Sequence, residues 1–202
     1  MFVITADQRG SRTSDDLIPS ALASVATAAG DGLALAPERT AGDELQVAVG
    51  DAGAALRIVL ALTRMQTWSV GIGVGSVEQP LPAQVRAARG AAFLHARDAV
   101  DRAKRAPTRV ALSGGEGDEG QDAEAFLRLL VELRDRRTPE GWEVHDLLSQ
   151  GRTQREAAAQ LAITEGAVSL RARNAGLRAE EGAVPALERL LARLEAGPHP
   201  TV

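Results

Sequence analysis

The apolar positions in the first half of the chain change period repeatedly, and each change marks an element. Residues 1–6 are apolar and β-branched in the manner of a strand, which stops at Asp7 before the turn-forming Gln8-Arg9-Gly10-Ser11-Arg12. Leu17, Ile18, Ala21, Leu22, Val25 and Ala26 then recur at helical spacing behind a Ser14-Asp15-Asp16 cap, predicting a helix that Gly30 ends. Strand-like segments at 33–38 and 45–49 flank the polar run 39–44, a hairpin with acids at its tip. Gly50-Asp51 opens a second helix with Ala54, Ala55, Ile58, Val59, Leu62 and Met65 on its apolar side. In the strand that follows, glycines 71, 73 and 75 alternate with apolar residues, so something packs or binds close to the backbone on that face. A helix over 83–104 and a strand over 108–112 complete this half.

The order strand, helix, strand, strand, helix, strand, helix, strand predicts an α+β domain over 1–112, a split βαβ, ferredoxin-like core with an appended helix and strand. Residues 113–120, Ser-Gly-Gly-Glu-Gly-Asp-Glu-Gly, pack poorly and read as a linker. From 121 to 202 every apolar pattern is helical, with helices expected over 122–136, 139–149, 154–162, 165–175 and 184–195. No internal repeat is visible.

Composition narrows the function. A chain of 202 residues with 45% hydrophobic and 25% charged residues is an ordinary globular one, long enough for one domain and a small second. Aromatic residues make up only 2%, so single-stranded nucleic acid has no stacking platform here. The absence of cysteine excludes disulfides, thiolate zinc sites and a cysteine nucleophile, and the three histidines lack metal-ligand spacing. No signal-like N-terminus or apolar run of membrane-spanning length is present, which places the expected location in the cytoplasm and away from membranes. The net charge of −4 requires any nucleic-acid contact to come from a local patch.

Such a patch lies in the C-terminal half. Two short helices joined by a tight turn need a small residue where they cross and apolar residues to pin the turn, and Ala158, Leu161, Ile163 and Val168 occupy those places. The segment at about 138–178 resembles the helix-turn-helix of bacterial transcription regulators, with Leu147 and Leu148 closing a trihelical core. Thr153 and Thr164 would cap its two helices. One departure is Ala162 at the start of the turn, where glycine is common. With Val168 facing inward, Glu165, Gly166, Ser169, Arg171, Arg173 and Asn174 are left for solvent or DNA. Thr153, Glu165, Ser169, Arg171, Arg173 and Asn174 are the expected DNA contacts. Arg152, Arg155, Arg171, Arg173 and Arg178 concentrate positive charge here. The partner would be double-stranded DNA, bound by a homodimer because two half-sites one turn apart raise affinity and specificity. The same helices would also serve as plain packing in a dimerisation bundle.

A second group of candidates is acidic. Asp7 at the end of the first strand and Asp43-Glu44 at the hairpin tip would lie side by side if their strands are neighbours. Carboxylates so placed repel unless a hard cation such as Mg²⁺ joins them. This is similar to the palm-type domain of nucleotidyl cyclases and GGDEF diguanylate cyclases. Four stretches extend the likeness: Asp7 to Arg12, Gly42-Asp43-Glu44-Leu45-Gln46, Gly71-Ile72-Gly73-Val74-Gly75, and Ala96-Arg97-Asp98-Ala99-Val100. In their order and spacing the chain resembles the SatD family, in which such a domain precedes a helix-turn-helix, with Ala6 for a usual Gly and Leu45 for Phe as departures. The resemblance implies a nucleotide held with Mg²⁺ at Asp7, Asp43 and Glu44, and phosphate contacts from Ser11, Arg12, Arg97 and Lys104. Arg97 and Lys104 would equally suit a solvated helix face, and Asp43-Glu44 an acidic turn.

These readings favour a DNA-binding transcriptional regulator whose cyclase-like domain binds a nucleotide or mediates dimerisation. The alternative is a Mg²⁺-dependent nucleotidyl cyclase or nucleotidyl transferase, for which no base-selecting or transition-state residue is identifiable. A scaffold with vestigial acids is the third reading.

Overall fold

A computed structural model of the chain describes residues 1–11, 13–115 and 117–197. It is α+β, with five strands in one mixed sheet and eight α-helices among the described residues. The elements are β1 (Phe2–Gln8), α1 (Ile18–Ala29), β2 (Leu33–Ala41), β3 (Glu44–Val49), α2 (Ala52–Arg64), β4 (Trp68–Val74), α3 (Ala91–Ala103), β5 (Val110–Ser113), α4 (Glu119–Asp135), α5 (Pro139–Ser149), α6 (Gln154–Leu161), α7 (Glu165–Asn174) and α8 (Leu177–Ala196). None of these helices is long and apolar enough to cross a membrane. Two compact units divide the chain within α4 and within α8: Met1–Val131 with the chain from Leu187 onward, and Glu132–Ala186.

In the first unit the strand order is β2-β3-β1-β4-β5, antiparallel except for the parallel pair β4 and β5. Side chains alternate between faces, so the register sorts them. Phe2, Ile4 and Ala6 share one face with Val49, Val47 and Leu45 of β3 and with Val74, Ile72 and Val70 of β4. All are buried, and this is the side that α1 and α2 cover. Asp51 starts α2 by accepting a hydrogen bond from the Ala54 amide at 2.8 Å.

The other face is built differently. Val3, Thr5 and Asp7 line up with Ala48, Gln46 and Glu44 on one side and with Gly73, Gly71 and Ser69 on the other. Here α3 lies directly on the glycines. A Cβ at Gly71 would stand 2.7 Å from both the Ala96 oxygen and the Val100 Cα, so the alternating glycines are a seat for a helix backbone. Ala92, Ala96, Ala99 and Ala103 present the matching small side chains, all fully buried. Between them the polar rung closes internally, with Gln46 Nε2 donating to Thr5 Oγ1 at 3.0 Å.

β5 forms an edge whose backbone groups are taken up by side chains. The Leu112 amide donates to Glu124 Oε2 at 2.7 Å, while Arg102 donates to the Leu112 oxygen at 2.6 Å and Arg128 to the Val110 oxygen at 3.2 Å.

Several boundaries differ from the sequence expectation. The helix expected over 83–104 begins only at Ala91. Gly90 precedes it at φ +138°, and the chain before it makes a single 3₁₀ turn, Val85–Ala87. Within 113–120, read as a linker, Ser113 ends β5, Glu119 opens α4, and Gly120 is buried beside the Gly114 carbonyl. α8 begins at Leu177 and runs through Pro185, where a start at 184 was expected. A proline inside a helix removes one amide donor but does not by itself end a helix held by packing.

Candidate functional site

The acids at the end of β1 are brought together as their strand assignment implies. Asp7 and Glu44 are direct cross-strand partners, and Asp43 sits in the tight turn that Gly42 permits at φ +55°. Each carboxylate has a partner from the protein. Lys104 Nζ lies 2.9 Å from Asp7, and that contact pushes the lysine up from its ordinary value against the opposing effect of burial. Ser11 Oγ donates to the Asp43 carboxylate. Glu44 is a buried strand residue, accepting from Thr40 Oγ1 at 2.7 Å and from Arg97 Nη2 at 3.3 Å.

Arg97 on α3 and Lys104, the residue that caps its C-terminus, thus neutralise Glu44 and Asp7. Arg12 lies outside the described residues. Among those described, no three His, Asp or Glu side chains are arranged to hold a metal ion. A Mg²⁺ between Asp7 and Asp43 would have to share their carboxylates with Lys104 and Ser11.

Two adjoining hollows open at this end of the sheet. One, of about 590 Å³, is lined by Ser14, Asp16, Arg39 and Gly42, the other by Asp7, Ser69 and Lys104, and both by Gln8, Ser11 and Asp43. Their shape depends on a residue that sequence reasoning missed. Gln8 is buried, accepts from the Leu17 amide at 3.0 Å, and donates to Ser14 Oγ at 3.0 Å and the Asp15 oxygen at 2.7 Å. It pins the loop between β1 and α1 that carries Ser11. Its position as the polar last residue of β1 was the available signal.

In the second unit, α5, α6 and α7 enclose a core of Val144, Leu147, Ala157, Ala158, Val168, Ala175 and Leu177, with Leu148, Leu161 and Ile163 packed against it. Thr153 starts α6 in a reciprocal capping box with Glu156, and Thr164 starts α7 by accepting from the Ala167 amide at 3.1 Å. The Thr153 hydroxyl is therefore engaged within the helix terminus. Ala162, between the helices, takes the left-handed conformation at φ 54°, ψ 40°. An L-residue is strained there, so Ala162→Gly is expected to raise stability by about 0.5–1 kcal/mol in urea denaturation of the full chain.

On α7, Glu165, Gly166, Arg173 and Asn174 are exposed, and Ser169 is half-buried. Arg171 is turned toward α5, 3.3 Å from Glu143. Leu170, absent from the sequence-based list because it is apolar, is 51% exposed on the same outward face. Arg152, Arg155 and Arg178 are exposed as well. Arginines and acids nearly balance across 132–186, so the positive charge is a patch within the unit.

No protein-family model and no curated protein matches the chain. Among solved structures it is similar to a regulator of polyketide synthase expression from Bifidobacterium adolescentis, at 15% identity and a TM-score of 0.32, over 96% of this chain and 79% of that one. That likeness transfers neither fold nor role.

The remaining sequence candidates resolve simply. His95 Nδ1 is 2.7 Å from the Val74 oxygen, a helix-to-sheet contact. His145 packs edge-on against Trp142, with ring centroids 5.0 Å apart. His199 lies outside the described residues.

Beside that pair lies a buried charge cluster. Arg134 and Arg137 both bond the Glu180 carboxylate, and their guanidinium carbons stand 4.9 and 4.3 Å from the Trp142 ring centre. Burial alone would raise Glu180, but the two arginines outweigh it and hold the carboxyl below its ordinary value.

Proposed function

We propose that the chain is a cytoplasmic, DNA-binding transcription regulator that acts as a homodimer, with α6 and α7 as its helix-turn-helix. The observation that carries this reading is the outward face of α7. A ten-residue helix, capped at Thr164 and anchored by the buried Val168, exposes Gly166, Arg173 and Asn174 to solvent in a row. Arginine and asparagine can reach guanine and adenine edges in the major groove, and the exposed Arg152, Arg155 and Arg178 can reach phosphates.

For the first unit we propose a nucleotide-responsive role, centred on the hollows at the end of β1. Lys104, paired there with Asp7, and Arg39, paired with Asp16, would supply cations, Ser11 a hydroxyl and Gln8 a fixed loop. The interleaved order β2-β3-β1-β4 supports the ferredoxin-like, cyclase-type reading of this unit, and with α6 and α7 the SatD-like organisation of the chain.

The test is fluorescence polarisation of the full chain with fragments of genomic DNA at several salt concentrations. Binding is expected to weaken steeply as salt rises. Arg173→Ala should weaken the best fragment by about 1–3 kcal/mol, whereas Arg171→Ala should cost less because Arg171 is turned to Glu143. Salt-insensitive or absent binding, or full affinity in Arg173→Ala, removes the reading.

A further inference from the structure

We infer that Gly166 and Leu170 together read a C5-methyl group in the major groove, in unmodified DNA that of thymine. The inference rests on the helix-turn-helix reading and adds a determinant of sequence preference to it.

Leu170 is a large apolar side chain left 51% exposed, although α7 buries Val168 fully. A helical side chain leans toward the N-terminus of its helix and covers the preceding turn. Leu170 therefore lies over the turn that holds Gly166. Glycine is a poor helix former, and its use inside a helix ordinarily answers a packing need. At Gly166 no such need exists among the described residues: of these a Cβ there would meet only Thr164 Oγ1, at 3.9 Å, and Gly166 is exposed at a negative φ. The missing side chain is thus turned outward, and it lets the first turn of α7 come close to a partner.

A bare backbone with an isobutyl group beside it forms a shallow apolar notch between the polar groups of Glu165 and Arg173. Of the groups a base pair offers in the major groove, the pyrimidine C5-methyl is the one that is apolar. The expected worth of the contact is about four-fold in affinity, that of one buried methyl-sized group.

A duplex selected by the full chain from a random-sequence pool would be resynthesised with deoxyuridine replacing each thymine in turn, which deletes the methyl and keeps the hydrogen-bonding edge. At one or two positions uracil should weaken the wild-type chain about four-fold, and restoring the methyl with thymine or supplying it with 5-methylcytosine at a neighbouring cytosine position tells the two sources apart. Leu170→Ala should bind the thymine and uracil duplexes alike. Gly166→Ala should melt no earlier than the wild type, yet lose affinity and the thymine preference. Wild-type indifference to uracil at every position, or undiminished discrimination in Leu170→Ala, overturns the inference while leaving DNA binding intact. If no duplex is selected, the helix-turn-helix reading fails and this inference fails with it.

Discussion

Gly71→Ala is expected to cost about 3 kcal/mol or more, a large share of the roughly 5–15 kcal/mol that keeps a domain folded. The added methyl would stand 2.7 Å from the Ala96 oxygen and the Val100 Cα, and both are backbone atoms of α3 that no rotamer change can move aside. Gly73→Ala meets the same helix at Ala92 and Ala96 and should behave likewise. Gly166→Ala, where the space is open, is the internal control: it is expected to be neutral or slightly stabilising. Urea denaturation followed by far-ultraviolet circular dichroism measures all three. A Gly71→Ala chain that unfolds at the wild-type urea concentration would show that α3 is not seated on the sheet in this way.

Glu180→Gln should destabilise the second unit by about 3–5 kcal/mol, because it removes the buried carboxylate that two guanidinium groups share. The Arg137 side chain is fully buried and Glu180 only 8% exposed, so water cannot replace the lost carboxylate. The same cluster sets a pH dependence. Glu180 has a lower pKa folded than unfolded, so its contribution is complete above the ordinary carboxyl range and is lost as pH falls through its folded value. Burial holds His145 below its ordinary value, so protonation also opposes folding, beginning at about pH 6.5 where a free histidine titrates. Wild-type stability should therefore decline from about pH 6.5 downward, and the decline should be shallower at the acid end in Glu180→Gln. Melting temperatures between pH 3 and 8 provide the measurement, and a profile unchanged by the substitution would contradict the assignment.

What could be read from the sequence follows from how locally each feature is encoded. The apolar, β-branched run of β1, the hairpin around Gly42 and the threonine caps of α6 and α7 each depend on a few adjacent residues, and their types declare the conformation. The glycine row in β4 announced a close approach but not what approaches, since α3 comes from further along the chain. Glu44 resembled a turn acid because it follows Asp43; only the register with Asp7 reveals it as a buried strand residue. The Arg134, Arg137 and Glu180 cluster joins residues 46 and 43 positions apart, and charged side chains ordinarily signal solvent. A helix start at 184 was expected, yet α8 runs from Leu177 through Pro185, because packing outweighs local propensity.

The side-chain hydrogen bonds along β5 bear on how the protein behaves when crowded. An open strand edge is a template for further strands, and a sheet that ends in one can recruit its neighbours into aggregates. At β5 a newcomer would first have to displace a carboxylate from the Leu112 amide and guanidinium groups from the Leu112 and Val110 carbonyls. Glu124, Arg102 and Arg128 thus act as a terminator for the sheet, one whose removal would be felt as lost solubility at high concentration more than as lost affinity for any ligand.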